Sequence, residues 1–342
     1  MTQEQRQVPR IKTPKAAYIP DYPQAIAFAE AQADVFWLDR EIRVDKDIQD
    51  IRVNMTESER HGVITTLKLF TLYELIAGNE YWGERVAKTF QRPDIQRMAN
   101  CFSFFELNVH APFYSKLNEA LNINTEEFYT DYVNDETLSE RMNFLSEVID
   151  SKDDLLSLGV FSLVEGAILY SSFAFLKHFQ AKGKNKLKNV VAGINFSVRD
   201  ENLHSQGGAW LFKTLLAEEK ALGNITKEQE EDLTAAIQEA GKKLFEHESR
   251  IIDMIFEKGD IKGITPVQMK HFVESRVNLC LTELGLPVVF DVGYNPIASW
   301  FYQNINSVQF HDFFAGVGNS YNRDWDEKSF TWEPVVADVA AE

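Results

Sequence analysis

Apolar residues recur every three or four positions over residues 56–90, 95–121, 155–176, 187–219, 226–258 and 265–285, the spacing of one buried helix face. Shorter helices are predicted over residues 22–42, 126–133 and 136–149, the first of them ending in Val35, Phe36, Trp37 and Leu38. Start signals agree with these bounds. Thr56 with Glu59 and Thr226 with Gln229 have capping-box spacing, Pro93 and Pro266 suit first turns, and Asp153 and Asp154 favour the helix start before Leu155. Gly183 separates one helix from the basic turn of residues 184–188, which reads as a solvated loop, and Gly285 to Pro287 stop another. The first 20 residues, with three prolines, read as a loose arm. From Tyr294 the chain turns aromatic and irregular (Trp300, Phe301, Tyr302, Phe310, Phe313, Phe314), and from Asn319 it loses helical periodicity altogether. The pattern predicts an all-α bundle over residues 1–318 and an extended tail over 319–342.

Composition changes this picture little. The 342 residues suffice for one large helical core, and the 25 phenylalanines make that core aromatic. A formal net charge of -17 argues against nucleic acid or an anionic membrane as partner. Residues 155–176 are long enough to span a bilayer, yet a central Glu165, several serines and the lack of flanking belts point to a helix buried inside the bundle. Cys101 and Cys280, the only cysteines, lie in apolar helical runs and read as reduced core thiols. The N-terminal residues lack the apolar segment of a cleavable signal, so a cytoplasmic location is expected.

The chemistry sits inside the apolar runs. Glu201 and His204 are three residues apart and share a helix face, as do Glu106 and His110, four apart. Glu57 and His61 have the same separation, but Glu59 and Arg60 beside them mark a solvated face. Glu106, by contrast, follows Phe102, Phe104 and Phe105, where a carboxylate is costly unless paired or bound to metal. Each pair is preceded, about one helix and a loop earlier, by one more acid in apolar surroundings: Glu74 before Glu106, Glu165 before Glu201. In an antiparallel bundle the four positions return to one height, giving the ligand set of a carboxylate-bridged dinuclear centre.

With these residues in place, the chain resembles the small, radical-generating subunit of class I ribonucleotide reductase over roughly residues 21–314. The likeness is carried by TLYELIAG, ELNVHAPFY, SLVEGAILY, RDENLH and WFYQNINSVQFHDFF. It implies a ferritin-like helical bundle with additional helices, in which Glu74, Glu106 and His110 serve one metal and Glu165, Glu201 and His204 the other. It implies a radical at Tyr114, with Trp37, His110 and Asp200 passing the electron and proton onward. It also implies a homodimer whose C-terminal tail docks on a large catalytic subunit, with Tyr321, Trp325 and Trp332 as relay candidates. One imidazole per ion among hard carboxylates suits iron or manganese, so di-iron is expected first, with manganese–iron or dimanganese as alternatives and an oxygen-derived oxidant.

Three positions depart from the family pattern. Its members space the first pair Glu-x-x-His, whereas three residues separate Glu106 from His110, so a π-bulge is needed for Glu106 to reach the metal. Glu74 stands where many members have Asp, and a manganese/iron subgroup with Glu there replaces the tyrosine that this chain keeps. Leu169 and Ser197 are smaller than the pair expected beside the radical. Two other functions fit four acids and two histidines: an oxidase or desaturase acting on an apolar substrate in the bundle, and a ferroxidase or iron-storage protein.

Overall fold

The computed structural model describes residues 7–302. Among these all regular structure is helical: α1 (Pro23–Asp34), α2 (Glu57–Leu75), α3 (Ala87–Thr89), α4 (Pro93–Phe105), α5 (Ala111–Leu121), α6 (Glu126–Thr130), α7 (Glu136–Ile149), α8 (Asp154–Ala167), α9 (Tyr170–Lys177), α10 (Lys188–Ala221), α11 (Lys227–Ile255), α12 (Pro266–Leu284) and α13 (Pro296–Phe301). A π segment, Ile76–Val86, joins α2 to α3, and another, Glu106–His110, joins α4 to α5. The bundle centre is made by α2, the α4–α5 rod, α8 and α10. Helices α11 and α12 pack together over α8, α1 lies across α4 and α10, and α7 closes on α8 and α11.

The helix starts follow the side-chain chemistry. Thr56, Thr226 and Thr265 each accept from the backbone three residues on and complete capping boxes with Glu59, Gln229 and Gln268. Asp153 accepts from the amides of Leu155 and Leu156, and Gly285 closes α12 with φ of 79°, where a side chain would be strained.

Several expectations are corrected. The first predicted helix ends at Asp34 rather than residue 42, because tertiary bonds replace the helical ones. Arg199 donates to the Val35 carbonyl, and the Trp37 indole is drawn to Asp200. The arm is not loose from residue 7 onward: Ile11 is fully buried, its amide donates to Glu218, Lys12 pairs with Asp154, and Arg92 donates to the carbonyls of Arg10 and Thr13. Glu59 is buried rather than solvated, since it closes the α2 capping box and pairs with Lys186, which ties down the basic turn as well. Among the described residues of the irregular end is one short helix, α13, capped by Asn295 and started by Pro296. The boundary at residue 319 and Tyr321, Trp325 and Trp332 lie outside the described residues.

The long apolar run is two helices. Its window of membrane-spanning length lies wholly inside the fold, and it breaks at Ile168 and Leu169. Two buried arginines satisfy carbonyls at the break: Arg276 Nε donates to Gly166 and Arg141 Nη2 to Ile168. Arg276 also lies over the Tyr170 ring at 3.7 Å and donates to the Tyr302 hydroxyl, while Arg141 pairs with the buried Glu248.

Lys177, at the end of α9, is 1% exposed, has no hydrogen-bond partner and lies over the Phe301 ring at 4.4 Å. Burial pushes its amine from 10.5 down to about 7. Between those values the unfolded chain holds a proton that the folded chain lacks, so this group lets stability rise with pH in that window, and its penalty is full below it. Lys177→Met is therefore expected to stabilise the protein by roughly 3 kcal/mol at pH 8, at about 1.4 kcal/mol per pH unit, with the gain fading as pH nears 10.5. Denaturant titrations of both chains across pH 7–10 check this; a gain independent of pH would refute it.

Candidate metal centre

All six predicted ligands converge at the bundle centre. Glu74 comes from the last turn of α2, Glu106 and His110 from the π segment after α4, Glu165 from the middle of α8, and Glu201 and His204 from α10. All are buried, and their ligand atoms form two overlapping groups, each within 4.8 Å: Glu74, Glu106, His110 and Glu201, and then Glu106, Glu165, Glu201 and His204. Glu106 and Glu201 belong to both, so each offers an oxygen to either group.

The extra residue between Glu106 and His110 is absorbed by the π segment, whose wider turn returns both side chains to one face. Glu106 Oε2 then lies 3.0 Å from His110 Nδ1, and Glu106 Oε1 lies 2.5 Å from His204 Nδ1. Gly78, in the neighbouring π segment, makes this approach possible, since a Cβ there would fall 2.7 Å from that of Glu106.

His110 points both ways. Its Nδ1 faces Glu106, Glu201 at 3.3 Å and Glu74 at 3.5 Å, while its Nε2 lies 3.1 Å from Asp200 Oδ2. The same Asp200 oxygen accepts from Trp37 Nε1 at 2.7 Å. Trp37 is 2% exposed and wedged between Phe113 and Phe196. Burial works against the Asp200 charge, but Arg199, His110 and Trp37 outweigh it and hold this carboxyl below its usual range.

Tyr114 is fully buried one turn beyond His110, its ring stacked on Phe70 at 4.3 Å and 9°. Its hydroxyl has no hydrogen-bond partner. Burial, then the charge of Glu74, pushes this phenol well above its ordinary value, so it stays protonated. Leu169 and Ser197 are both buried.

The donor set fits a pair of cations. Both oxygens of Glu74 and Glu201, Glu106 Oε1 and both ring nitrogens of His204 make no hydrogen bond. Four buried carboxylates face only two imidazoles, an excess of negative charge that is costly without further counter-charge, and two divalent ions would balance it. The strain of gathering the carboxylates shows in their protonation. Burial and then the neighbouring carboxylates push Glu74 and Glu165 well above the usual range, whereas for Glu106 the two histidines override burial and hold it well below. His204 rises to about 9, burial being outweighed by Glu106 and Glu201.

Two polar contacts at the site escaped the sequence. Trp82 Nε1 donates to Glu165 Oε1 at 2.7 Å, and the Tyr73 hydroxyl donates to Glu165 Oε2 at 3.2 Å. Tyr73 was readable as the neighbour of Glu74. Trp82 carried no such signal, for at about 100° per residue its nine-residue separation from Tyr73 sets the two on opposite faces of an α-helix. The π segment from Ile76 turns less per residue and swings Trp82 round.

Comparison with known proteins agrees with this geometry. Residues 16–296 match the family model described as ribonucleotide reductase, small chain. A probable ribonucleoside-diphosphate reductase small subunit of Invertebrate iridescent virus 3 is 23% identical over 320 residues, covering 88% of this chain and 82% of that protein. A putative class I ribonucleotide reductase from Bacillus halodurans superposes with a TM-score of 0.73 at 22% identity, covering 83% of this chain and 100% of that one. The dimanganese(II) NrdF of Streptococcus sanguinis does so at 0.71, also at 22% identity, covering 84% and 99%. The fold is thus the expected ferritin-like bundle with additional helices. The buried carboxylate–imidazole cluster offers two groups of side chains that could each hold a metal ion, and the chain that builds it belongs to the ribonucleotide reductase small chains.

Proposed function

We propose that this subunit generates a radical at Tyr114 and delivers the oxidising equivalent through His110, Asp200 and Trp37 to a separate large subunit that reduces ribonucleotides. The observation that carries the reading is the shared Asp200 oxygen, which ties a metal-facing imidazole to a buried indole. Glu74, Glu106 and His110 would hold one ion, and Glu165, Glu201 and His204 the other, with Glu106 and Glu201 between them. Bound there and raised by an oxygen-derived oxidant, the ion pair would supply the one-electron oxidising power.

The protein's own residues govern where that power goes. Tyr114 would be the residue oxidised, and its flat packing on Phe70 with no water-facing edge would shelter the resulting radical. Trp37 can lose an electron while its N–H proton already rests against Asp200, and Asp200 remains ionised to accept it. Asp200 also fixes which His110 nitrogen faces the metal.

We take iron as the metal pair, with an oxygen-derived oxidant. A dimanganese pair is the second reading, favoured by the dimanganese(II) form of the Streptococcus sanguinis relative. A homodimer acting in the cytoplasm follows from the family likeness. Residues 319–342, with Tyr321, Trp325 and Trp332, are assigned to docking and relay. Deleting them is expected to leave metal content unchanged and to lower reductase activity with the large subunit at least about tenfold, as expected when a tethered docking element is lost. An oxidase or a ferroxidase would be unaffected, so full activity after the deletion would overturn the proposal.

A further inference from the structure

Among the four carboxylates, Glu165 alone has a hydrogen-bond donor on each oxygen. Both oxygens of Glu74 and of Glu201 are without one, and Glu106 is hydrogen-bonded on one oxygen only, to His110, while its other oxygen lies 2.5 Å from His204 Nδ1. The two donors are rigid. Trp82 is fully buried, edge-on to Phe102 at 4.9 Å and to Tyr81 at 5.0 Å, so its indole cannot swing away. Tyr73 is 1% exposed and shares its helical turn with the ligand Glu74.

A carboxylate oxygen that already accepts a hydrogen bond has fewer lone-pair directions left for a cation, and donors on both sides fix the plane of the group. Glu74 and Glu201 carry no such restraint and are free to change from one-oxygen to two-oxygen binding. The π stretch carries Trp82 to the same carboxylate that Tyr73 reaches, and Gly78 lets it close against the Glu106 segment.

We propose that Tyr73 and Trp82 clamp Glu165 in one binding mode, making the metal position beside His204 the rigid one and the position beside His110 the adaptable one. Tyr73 and Trp82 are thus positioning residues that act on the metals through Glu165. The inference rests on the dinuclear reading of the site, and its test separates the two.

The full-length apo-protein is titrated with Mn(II) alone, free ion being counted by electron paramagnetic resonance and the bound pair recognised by its spin-coupled signal. The wild-type chain is expected to bind two ions. Trp82→Phe is expected to weaken one position by about 10- to 100-fold and leave the other within about twofold, with Tyr73→Phe in the same direction at about 10-fold. The affected position is the one that His204→Gln removes, and the coupled signal then appears only at higher Mn(II). Tyr73→Phe keeps the ring and removes one oxygen, so it carries the test if Trp82→Phe does not fold. Wild-type affinities in Tyr73→Phe, or equal weakening of both positions, would overturn the clamp. A wild-type chain that binds fewer than two ions would overturn the dinuclear reading itself.

Discussion

A Tyr114→Phe chain loaded with ferrous iron and exposed to oxygen is expected to bind as much metal as the wild type, to show no tyrosyl signal, and to retain only background reductase activity with the large subunit. The substitution is clean because the hydroxyl it removes is buried without a partner, so phenylalanine fits the same aromatic slot against Phe70 and Phe113. Removing an unsatisfied buried polar atom is neutral or stabilising, and the fold should hold within about 1 kcal/mol. What is lost is the O–H bond whose homolysis defines a tyrosyl species; phenylalanine offers no proton to release with the electron. Low-temperature electron paramagnetic resonance with metal analysis decides the matter. A tyrosyl spectrum that persists unchanged would move the radical to another residue, and Tyr73, bonded to a ligand carboxylate, would be examined next.

Asp200→Asn should separate radical formation from radical delivery. In the native chain one oxygen, Oδ2, accepts from both Trp37 and His110. An amide brings one acceptor oxygen and an NH2 group. If the oxygen serves the indole, little is left to hold the imidazole, and if it serves the imidazole the indole loses its acceptor. Loss of the negative charge also removes the base to which the indole proton is hydrogen-bonded. Metal affinity beside His110 is expected to fall about 10-fold to 100-fold, as outer partners of metal ligands typically show. At saturating metal the Tyr114 signal should still form, while activity with the large subunit falls by at least about a hundredfold. Activity within twofold of wild type alongside a normal radical would remove Asp200 and Trp37 from the path.

The convergence of the six candidate ligands was legible because each is a charged or imidazole side chain at helical spacing within an apolar run, where solvation cannot explain it. Helix starts at Thr56 and Thr226 were legible for a local reason as well, since a capping box needs only four residues. The features that stayed hidden depend on contacts distant in the chain. Apolar Val35 to Leu38 read as more helix until Asp200 and Arg199, over 160 residues on, drew them out of it. The arm read as loose because its anchors, Glu218 and Asp154, lie on other helices. Gly78 and Gly83, inside what read as one α-helix, were the available hint of the π segment. They could not say which side chains it would redirect.

The broken helix that carries Glu165 has a consequence for how the molecule opens. Its freed carbonyls at Gly166 and Ile168 are satisfied by Arg276 from α12 and Arg141 from α7, two outer helices that each pack on α8. Peeling either outer helix away would strand a buried carbonyl beside the metal site, along with an arginine that has lost its place. Outer and inner layers therefore come apart together. Amide protons of α8 and α10 should exchange with solvent only through unfolding of the whole bundle, as one cooperative unit.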